Sequence, residues 1–137
     1  AEAGVSILTN APGAHAFPPV LLLHEAGVNV FAGNDNIRDS WWPYGDGDLL
    51  ERAMIVGYRS GFNTDAELAL AFDMVTSHAA RALGIKGYGL VEGGPADFLV
   101  IDAQHVQEAV IARPKHRDVY KAGRPVARNG VTVSDVR

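Results

Sequence analysis

The chain has 137 residues, no cysteine and a formal net charge of −4, with acidic and basic residues interspersed. This length allows one ordinary domain or a piece of a larger one, and the absence of cysteine excludes disulfides and thiolate chemistry. The mildly acidic balance argues against a nucleic-acid partner, which needs a basic face, and no apolar stretch approaches the ~20 residues of a membrane span.

The chain starts abruptly. It begins Ala-Glu-Ala-Gly without an initiating methionine, and a strand-like run follows Gly4 directly. An engineered or processed start and a chain cut out of something longer both account for this. A cysteine-free sequence that shows no signal peptide predicts a cytoplasmic protein.

The first third of the chain predicts a βαβ unit. Residues 5–9 and 28–32 are short β-favouring runs. Between them, residues 20–24 follow a Pro-Pro pair and run toward a glycine, as a short helix does. Strand, helix and strand in this spacing predict two parallel strands of an α/β protein. Parallel strands are normally buried on both faces, so a sheet of only two would have open edges and look incomplete.

Two helical segments follow this unit. Residues 49–57 carry apolar side chains at helical spacing. A longer tract from 64 to 83 begins with Thr64 and Glu67, which are the residues of a capping box. Gly84 is predicted to end that tract, and glycine-rich turns begin there.

The change in texture predicts two parts. An α/β part spans residues 1–84, and a small β part spans residues 85–137. The small β part is predicted to contain three strands, a hairpin-like connection between the last two, and one surface helix: strands 98–101, 119–121 and 126–128, connection 122–125 and helix 106–112.

Residues 33–48, called the site loop below, carry the candidate chemistry. Functional loops in parallel α/β folds lie at the C-terminal ends of strands, and Asp35 stands just beyond such an end. Trp41 and Trp42 nearby can supply a flat apolar wall for a planar ligand. A carboxylate beside an aromatic slot suits proton transfer to a heterocycle, or metal ligation.

Structural roles for the same loop stay open. An aspartate after a strand is more often a turn or cap residue than a catalyst, and Asp46 and Asp48 suit the start of the next helix. Arg38 and Asp39 would form an exposed ion pair of little energetic consequence. One of the two tryptophans would belong to the core.

The histidines do not complete a metal centre. They show no His-x-His or His-x-x-x-His spacing and stand at positions 15, 24, 78, 105 and 116. His24 and His78 lie within predicted helices, where packing or surface roles are expected. His15 follows a strand on the functional side. A catalytic zinc takes about three protein ligands, whereas this chain offers one credible carboxylate.

Several segments, in chain order, resemble the cytosine deaminases of the amidohydrolase superfamily. GVNVFAGNDN at 27–36, continued by DSWWPYG at 39–45, is similar to their eighth-strand segment. Further segments resemble the helix after the barrel, the return into a small β-sandwich and its closing strands: TSHAARALG at 76–84, GLVEGGPADFLVID at 89–102 and VYKAGRPV at 119–126. The likeness covers nearly the whole chain.

The resemblance implies an α/β fold, namely the C-terminal part of a (β/α)8 TIM barrel (strands seven and eight with their helices) plus part of a small β-sandwich. It implies one divalent metal, zinc or iron, bound by histidines of earlier strands and by Asp35, which also helps move the proton of the activated water. Trp41 falls where the family places an aromatic against the substrate ring. Asn36 stands where the family often has a second acid, which favours isocytosine or an aminated triazine over cytosine.

The resemblance also implies that the catalytic site is incomplete in this chain. The family's metal-binding histidines and its glutamate acid–base have no counterparts here, so the chain alone is expected to be inactive and to bind no metal tightly. The expected partners are a small heterocyclic substrate and either the missing N-terminal barrel segment or further copies in a homo-oligomer. No nucleic-acid or membrane partner is expected.

Two other classes of protein stay open. A truncated, non-catalytic paralogue would act through self-association or partner binding, which would cover its open strand edges. A metal-free ligand-binding protein would use Trp41 and Trp42 as its slot.

Overall fold

The structure, a computed structural model, describes residues 2–11, 13 and 15–133 as a mixed α/β chain. Its elements in chain order are β1 (Ile7–Thr9), α1 (Val20–Glu25), β2 (Val30–Ala32), α2 (Leu49–Ser60), α3 (Asp65–Met74), α4 (Ser77–Ala82), β3 (Phe98–Ile101), α5 (Val106–Ala112), β4 (Arg117–Lys121), β5 (Arg124–Arg128) and β6 (Val131–Thr132). β1 pairs with β2, and β3 to β6 form a four-stranded sheet in chain order. Within the described ranges, no helix is long and apolar enough to cross a membrane.

The predicted βαβ unit is confirmed. β1 and β2 are parallel, with Ile7 opposite Val30, and α1 forms the crossover. Each strand begins two residues later than its apolar run. For β2 the reason is that the N–H of Val28 donates to the Leu23 carbonyl at 2.9 Å, which closes α1 instead of extending the ladder. The carboxyl ends of the two strands therefore lie side by side.

Polar side chains hold the opposite end of this strand pair. Asn29 Nδ2 donates to Ser6 Oγ at 3.0 Å and to the His78 carbonyl at 3.1 Å. Arg81 Nη1 donates to Asn29 Oδ1 at 3.2 Å. The buried ring of His78 contacts the Val30 carbonyl through Nδ1 at 3.0 Å. His78 is therefore a packing residue, as predicted.

α2 begins as predicted, with Asp48 as its N-cap, but it is longer than predicted. The expected end at Gly57 is wrong, because the helix continues for nearly one more turn and ends at Gly61 in the left-handed conformation (φ 71°). Gly57 is buried, and a β-carbon at that position would lie 3.8 Å from the Ala71 side chain of α3. The close packing of α2 on α3 outweighs the low helix propensity of glycine.

The helical tract predicted over 64–83 is two helices. Thr64 and Glu67 form the predicted capping box at the start of α3. The helix breaks at Thr76, where φ is −127° and ψ is −97°. The Thr76 hydroxyl donates to the Phe72 carbonyl at 2.8 Å, which also accepts the Val75 N–H at 3.1 Å, so the last carbonyls of α3 are satisfied by a tightened turn and a side chain.

The core lies among β2, α2 and α3 and extends to α5. α5 has the predicted bounds and is an amphipathic surface helix, with one face packed on the core and the other exposed to solvent. Ala109 and Val110 are only 5% and 1% exposed, whereas Ile111 on the same helix is 61% exposed. α5 therefore packs part of the C-terminal segment onto α2 and α3. The boundary between residues 84 and 85 stays a prediction.

The antiparallel sheet contains the three predicted strands and one more, but the predicted connection at 122–125 is too long, because β5 begins at Arg124. β4 begins at Arg117, so both strands start two residues earlier than predicted. The β4–β5 hairpin turns through Ala122 and Gly123, both with positive φ (49° and 74°), which is the two-residue turn that fits the twist of paired strands. β6 is an addition, because a two-residue strand is too short for an alternating pattern.

A bidentate ion pair joins the start of α2 to β4. Arg117 Nη1 and Nη2 donate to the two carboxylate oxygens of Asp48, each at 2.8 Å. The two side chains are only 20% and 21% exposed. The hydrogen bond from Arg117 holds the pKa of Asp48 below its usual range, against the opposing effect of burial.

Val110→Ala should lower the free energy of unfolding by about 2 kcal/mol, because it removes two buried methyl groups and leaves a cavity. Ile111→Ala removes more atoms from the same helix, but from an exposed side chain, and should cost much less. Urea unfolding of both variants measures the difference. Equal losses would contradict the burial of this face of α5.

Asp48→Asn keeps a residue that caps α2 well but removes the charge that faces Arg117. We expect the free energy of unfolding to fall by about 1–2 kcal/mol at neutral pH. Because the folded-state pKa of Asp48 is lowered, this stabilisation is present above the ordinary aspartate pKa of about 3.9 and is lost as the pH falls through the lowered value. Unfolding curves of the two proteins should therefore converge in acid.

Asp97→Asn is the matched control for that variant. Asp97 also pairs with a cation, Lys121, but these two side chains are 36% and 71% exposed. An exposed pair contributes little, so the loss should be smaller than for Asp48→Asn. The reverse ranking would mean that the Asp48 pair does not stabilise the fold.

Candidate functional site

Asp35 lies where the carboxyl ends of β1 and β2 meet. It follows Ala32, the last residue of β2, by three positions, and it is exposed. Asn10, directly after β1, donates from Nδ2 to Asp35 Oδ2 at 3.4 Å. The parallel pairing therefore places an amide from one strand end beside a carboxylate from the next, at the edge where α/β proteins bind their ligands.

Arg52 of α2 contacts both strand ends. Its Nε and Nη2 donate to Asn34 Oδ1 at 3.1 and 3.0 Å, and its Nη1 donates to the Asn10 carbonyl. Burial lowers the pKa of the Arg52 guanidinium, and the charge of Glu51 opposes that shift. Sequence reasoning missed Arg52, because an arginine on a helix is usually solvated and its spacing does not point to strand ends elsewhere in the chain.

Asp39 organises the middle of the site loop. One carboxylate oxygen accepts the backbone N–H groups of Trp41 and Trp42, each at 2.9 Å, and the other accepts Asn36 Nδ2 at 2.8 Å. The hydrogen bond from Asn36, followed by that from the Trp42 backbone, lowers the pKa of Asp39. Asp39 thus joins Asn36 and Trp41, two of the predicted site residues. The sequence did not indicate this role for Asp39.

The alternative structural roles have mixed outcomes. The predicted ion pair between Arg38 and Asp39 is wrong, because Arg38 Nε donates to the Gly45 carbonyl at 2.8 Å and Asp39 turns toward its own loop. Asp46 and Asp48 are turn and cap residues as predicted, with Asp46 Oδ1 accepting the Asp48 N–H at 3.0 Å.

An open cleft of about 430 Å³ lies beside the site loop, and its lining includes Asn36, Ile37, Trp42, Tyr44 and Arg52. Trp42 and Tyr44 meet edge to face, with ring centroids 5.5 Å apart, which is a preferred arrangement of aromatic rings. Tyr44 is an addition to the predicted aromatic wall. Its position two residues after Trp42 was the available signal.

Trp41 lies outside this cleft lining. Its side chain is 82% exposed, and Trp42 is only partly buried. The expectation that one of the two tryptophans belongs to the core is therefore wrong. Contact of Trp41 with a substrate stays a prediction, whereas Asn36 does line the cleft.

The metal-binding side chains of the described residues do not form a complete metal site. Across residues 2–11, 13 and 15–133, no three His, Asp or Glu side chains are grouped so that they could hold one metal. Asp35 offers an exposed carboxylate, a donor that zinc and iron sites accept. His15 is exposed after β1, and His24 stacks on His78 with ring centroids 6.0 Å apart. The role of Asp35 as a metal ligand stays a prediction.

Known proteins resemble the chain in sequence and in structure. The N-isopropylammelide isopropyl amidohydrolase of Pseudomonas sp. strain ADP is 37% identical over 134 residues, which are 97% of this chain and 33% of that protein. N-isopropylammelide isopropylaminohydrolase from Burkholderia multivorans has a crystal structure with a TM-score of 0.92 and 48% identity, over 96% of this chain and 34% of that one. A 5-methylcytosine deaminase from Klebsiella pneumoniae, liganded with phosphonocytosine, gives a TM-score of 0.74 at 31% identity, over 84% of this chain and 28% of that one.

The match to a protein family also covers most of the chain. The chain spans about a third of the length of the relatives it matches, and the model of the amidohydrolase family matches residues 1–127. The resemblance seen in the sequence is confirmed by this match, and the chain belongs to the amidohydrolase family.

Proposed function

We propose that this chain is the C-terminal part of a metal-dependent amidohydrolase that hydrolyses a C–N bond of an aminated heterocycle. The observation that carries the proposal is the position of Asp35, an exposed carboxylate where the ends of two parallel strands meet. Membership of the amidohydrolase family supports the reaction class. The relatives named for deamination and for amide-type hydrolysis support the same class.

In the proposed architecture, β1 and β2 are strands seven and eight of a (β/α)8 barrel and β3 to β6 belong to a small β-sandwich, with the parts at 1–84 and 85–137. The parallel pairing supports this assignment. Val5 and Leu8 are 66% and 60% exposed. Parallel sheets are normally buried on both faces, so further strands and helices of a barrel would cover these apolar side chains. The proposed partner is an N-terminal barrel segment, with self-association in a homo-oligomer as the alternative, in the cytoplasm.

Asp35 has two tasks in the proposed reaction. The carboxylate would be one ligand of the metal, and it would take the proton of the attacking water and pass it to the departing amine, while the Asn10 amide donates to Oδ2. A bound zinc or iron ion supplies the acidity that turns water into a nucleophile near neutral pH. A C–O bond forms at the ring carbon, the C–N bond breaks, and the amine leaves with the transferred proton.

The proposed substrate is a small heterocyclic ring with an amino or alkylamino substituent. An aminated triazine is preferred in this proposal, followed by isocytosine or cytosine. The two relatives named for N-isopropylammelide favour this order. Asn36 Nδ2 donates to Asp39, so the Asn36 carbonyl oxygen is suited to accept a hydrogen bond from a ring N–H, without carrying a proton as an acid would. The rings of Trp42 and Tyr44 in the cleft suit a planar ligand, and Trp41 is proposed to contact the same ring.

Asp35→Asn in the full-length enzyme should lower kcat with N-isopropylammelide by more than about a hundredfold, because an amide neither takes up the proton nor binds metal as a carboxylate does. The metal content, measured by elemental analysis, should fall as well. Asp46→Asn is the matched control from the same loop, since its amide oxygen can still accept the Asp48 N–H, and it should keep full activity. Unchanged turnover of the Asp35 variant would sink the proposed role.

Asp39→Ala should raise KM by about tenfold or more and leave the melting temperature nearly unchanged, because it releases Asn36 and the Trp41–Trp42 backbone in an exposed loop. Asp39→Asn can still accept the two backbone N–H groups and should raise KM less. Steady-state kinetics with N-isopropylammelide measures both variants. An unchanged KM in both variants would mean that the site loop does not bind the substrate.

A further inference from the structure

The Arg52 guanidinium contacts the ends of both β1 and β2. Three of its nitrogen atoms are engaged: two donate to the side-chain oxygen of Asn34, and the third donates to the backbone carbonyl of Asn10. Asn34 immediately precedes Asp35, and Asn10 donates to the Asp35 carboxylate through its own side chain. Arg52 is therefore linked to Asp35 by two routes: through Asn34, the neighbour of Asp35 in the chain, and through Asn10, which donates a hydrogen bond to Asp35.

Arg52 acts through these neighbours and forms no ion pair with Asp35 among the described side chains. This arrangement matters for a carboxylate that must bind a cation, because a guanidinium in direct contact would compete with the metal for the same oxygen atoms. A cation that instead holds the two flanking residues can fix the direction of the carboxylate and leave its oxygen atoms accessible.

We propose that Arg52 is a positioning residue for Asp35, which fixes the orientation in which the carboxylate binds metal and moves a proton. The proposal rests on the function proposed above for Asp35. Partners that orient a metal ligand typically change metal affinity or activity by about 10–100-fold when they are removed, so the effect of losing Arg52 lies well within measurable range.

The planar fork of arginine is required for this task. Nε and Nη2 converge on one amide oxygen of Asn34 while Nη1 points to a second acceptor on the other strand end. A lysine has a single ammonium on a flexible stem and does not reproduce that fork. The side chain is partly buried, so removing it also leaves the Asn34 and Asn10 oxygen atoms short of a donor.

The chain contains a matched control at the opposite end of the same strand pair. Arg81 Nη1 donates to the side-chain oxygen of Asn29 at 3.2 Å, and Asn29 in turn donates to Ser6 at the start of β1. This arginine–asparagine contact is of the same chemical type as that of Arg52. It lies at the amino end of the strands, away from Asp35, so it tests the structural contribution of such a contact by itself.

The experiment compares Arg52→Met, Arg52→Lys and Arg81→Met in the full-length enzyme. Melting temperature, kcat and KM with N-isopropylammelide, and zinc affinity by chelator competition are measured for each. Arg52→Met should lower kcat and zinc affinity by about 10–100-fold and leave KM within about threefold of the wild type. Arg52→Lys should recover only a small part of this loss. Arg81→Met should keep kcat and zinc affinity within about twofold and lower the melting temperature less than Arg52→Met, because Arg81 is exposed and donates one such hydrogen bond.

Asn34→Leu provides a second route that leaves α2 untouched, and it keeps the test decisive if Arg52→Met does not fold. It removes the shared acceptor, so it should lower zinc affinity and kcat in the same direction, and combining it with Arg52→Lys should add little, as expected for two parts of one contact.

Two results would overturn the proposal. One is an Arg52 or Asn34 variant whose kcat and zinc affinity match those of Arg81→Met. The other is a rise in KM at constant kcat, which would make Arg52 a substrate contact of the cleft it borders. In either case an inactive Asp35→Asn enzyme would leave the proposed function standing, whereas an active one would remove that function itself.

Discussion

The parallel pairing of β1 and β2 is the constraint on which the site depends. Parallel strands end at the same edge of a sheet, so Asn10 and Asp35 become neighbours although they are 25 positions apart in the sequence. The pairing covers three residues in each strand, which is a short ladder. Side chains tie it at both ends, with Asn29 and Arg81 at one end and Arg52 at the other. The geometry of the site therefore follows from backbone pairing plus a few polar contacts, which are half-buried at Arg52 and exposed at Arg81 and between Asn10 and Asp35.

Features that local patterns control were predictable from the sequence. Strand–helix–strand spacing, a capping box and a loop after a strand all depend on residues that are near one another in the sequence, and they placed Asp35 correctly after a strand end. The break at Thr76 depends on a local backbone conformation and on the hydrogen bond from its hydroxyl to the Phe72 carbonyl, which apolar periodicity does not report. The buried face around Val110 and the contacts of Arg52 depend on residues far away in the chain. The role of Asp39 in organising the site loop was missed for another reason. Its partners are mostly backbone N–H groups, which no side-chain pattern in the sequence indicates.

The C-terminal segment is held to the helices by two different interactions. Val110 of α5 contributes apolar burial, and the Asp48–Arg117 pair adds a bidentate contact between the start of α2 and β4. Asp48 also caps the helix that carries Arg52. The same helix therefore links the antiparallel sheet to the strand ends, which connects the packing of the C-terminal segment to the edge where the proposed chemistry takes place.

Binding of the catalytic metal by Asp35 is tested most directly by a crystal structure of the metal-loaded full-length enzyme, with data collected at the absorption edge of the bound metal. We expect an anomalous peak about 2.0–2.2 Å from an Asp35 carboxylate oxygen if the metal is zinc, with Asn10 and Arg52 in the contacts described here. A metal bound entirely by other side chains, with the Asp35 carboxylate turned away from it, would contradict the proposed site.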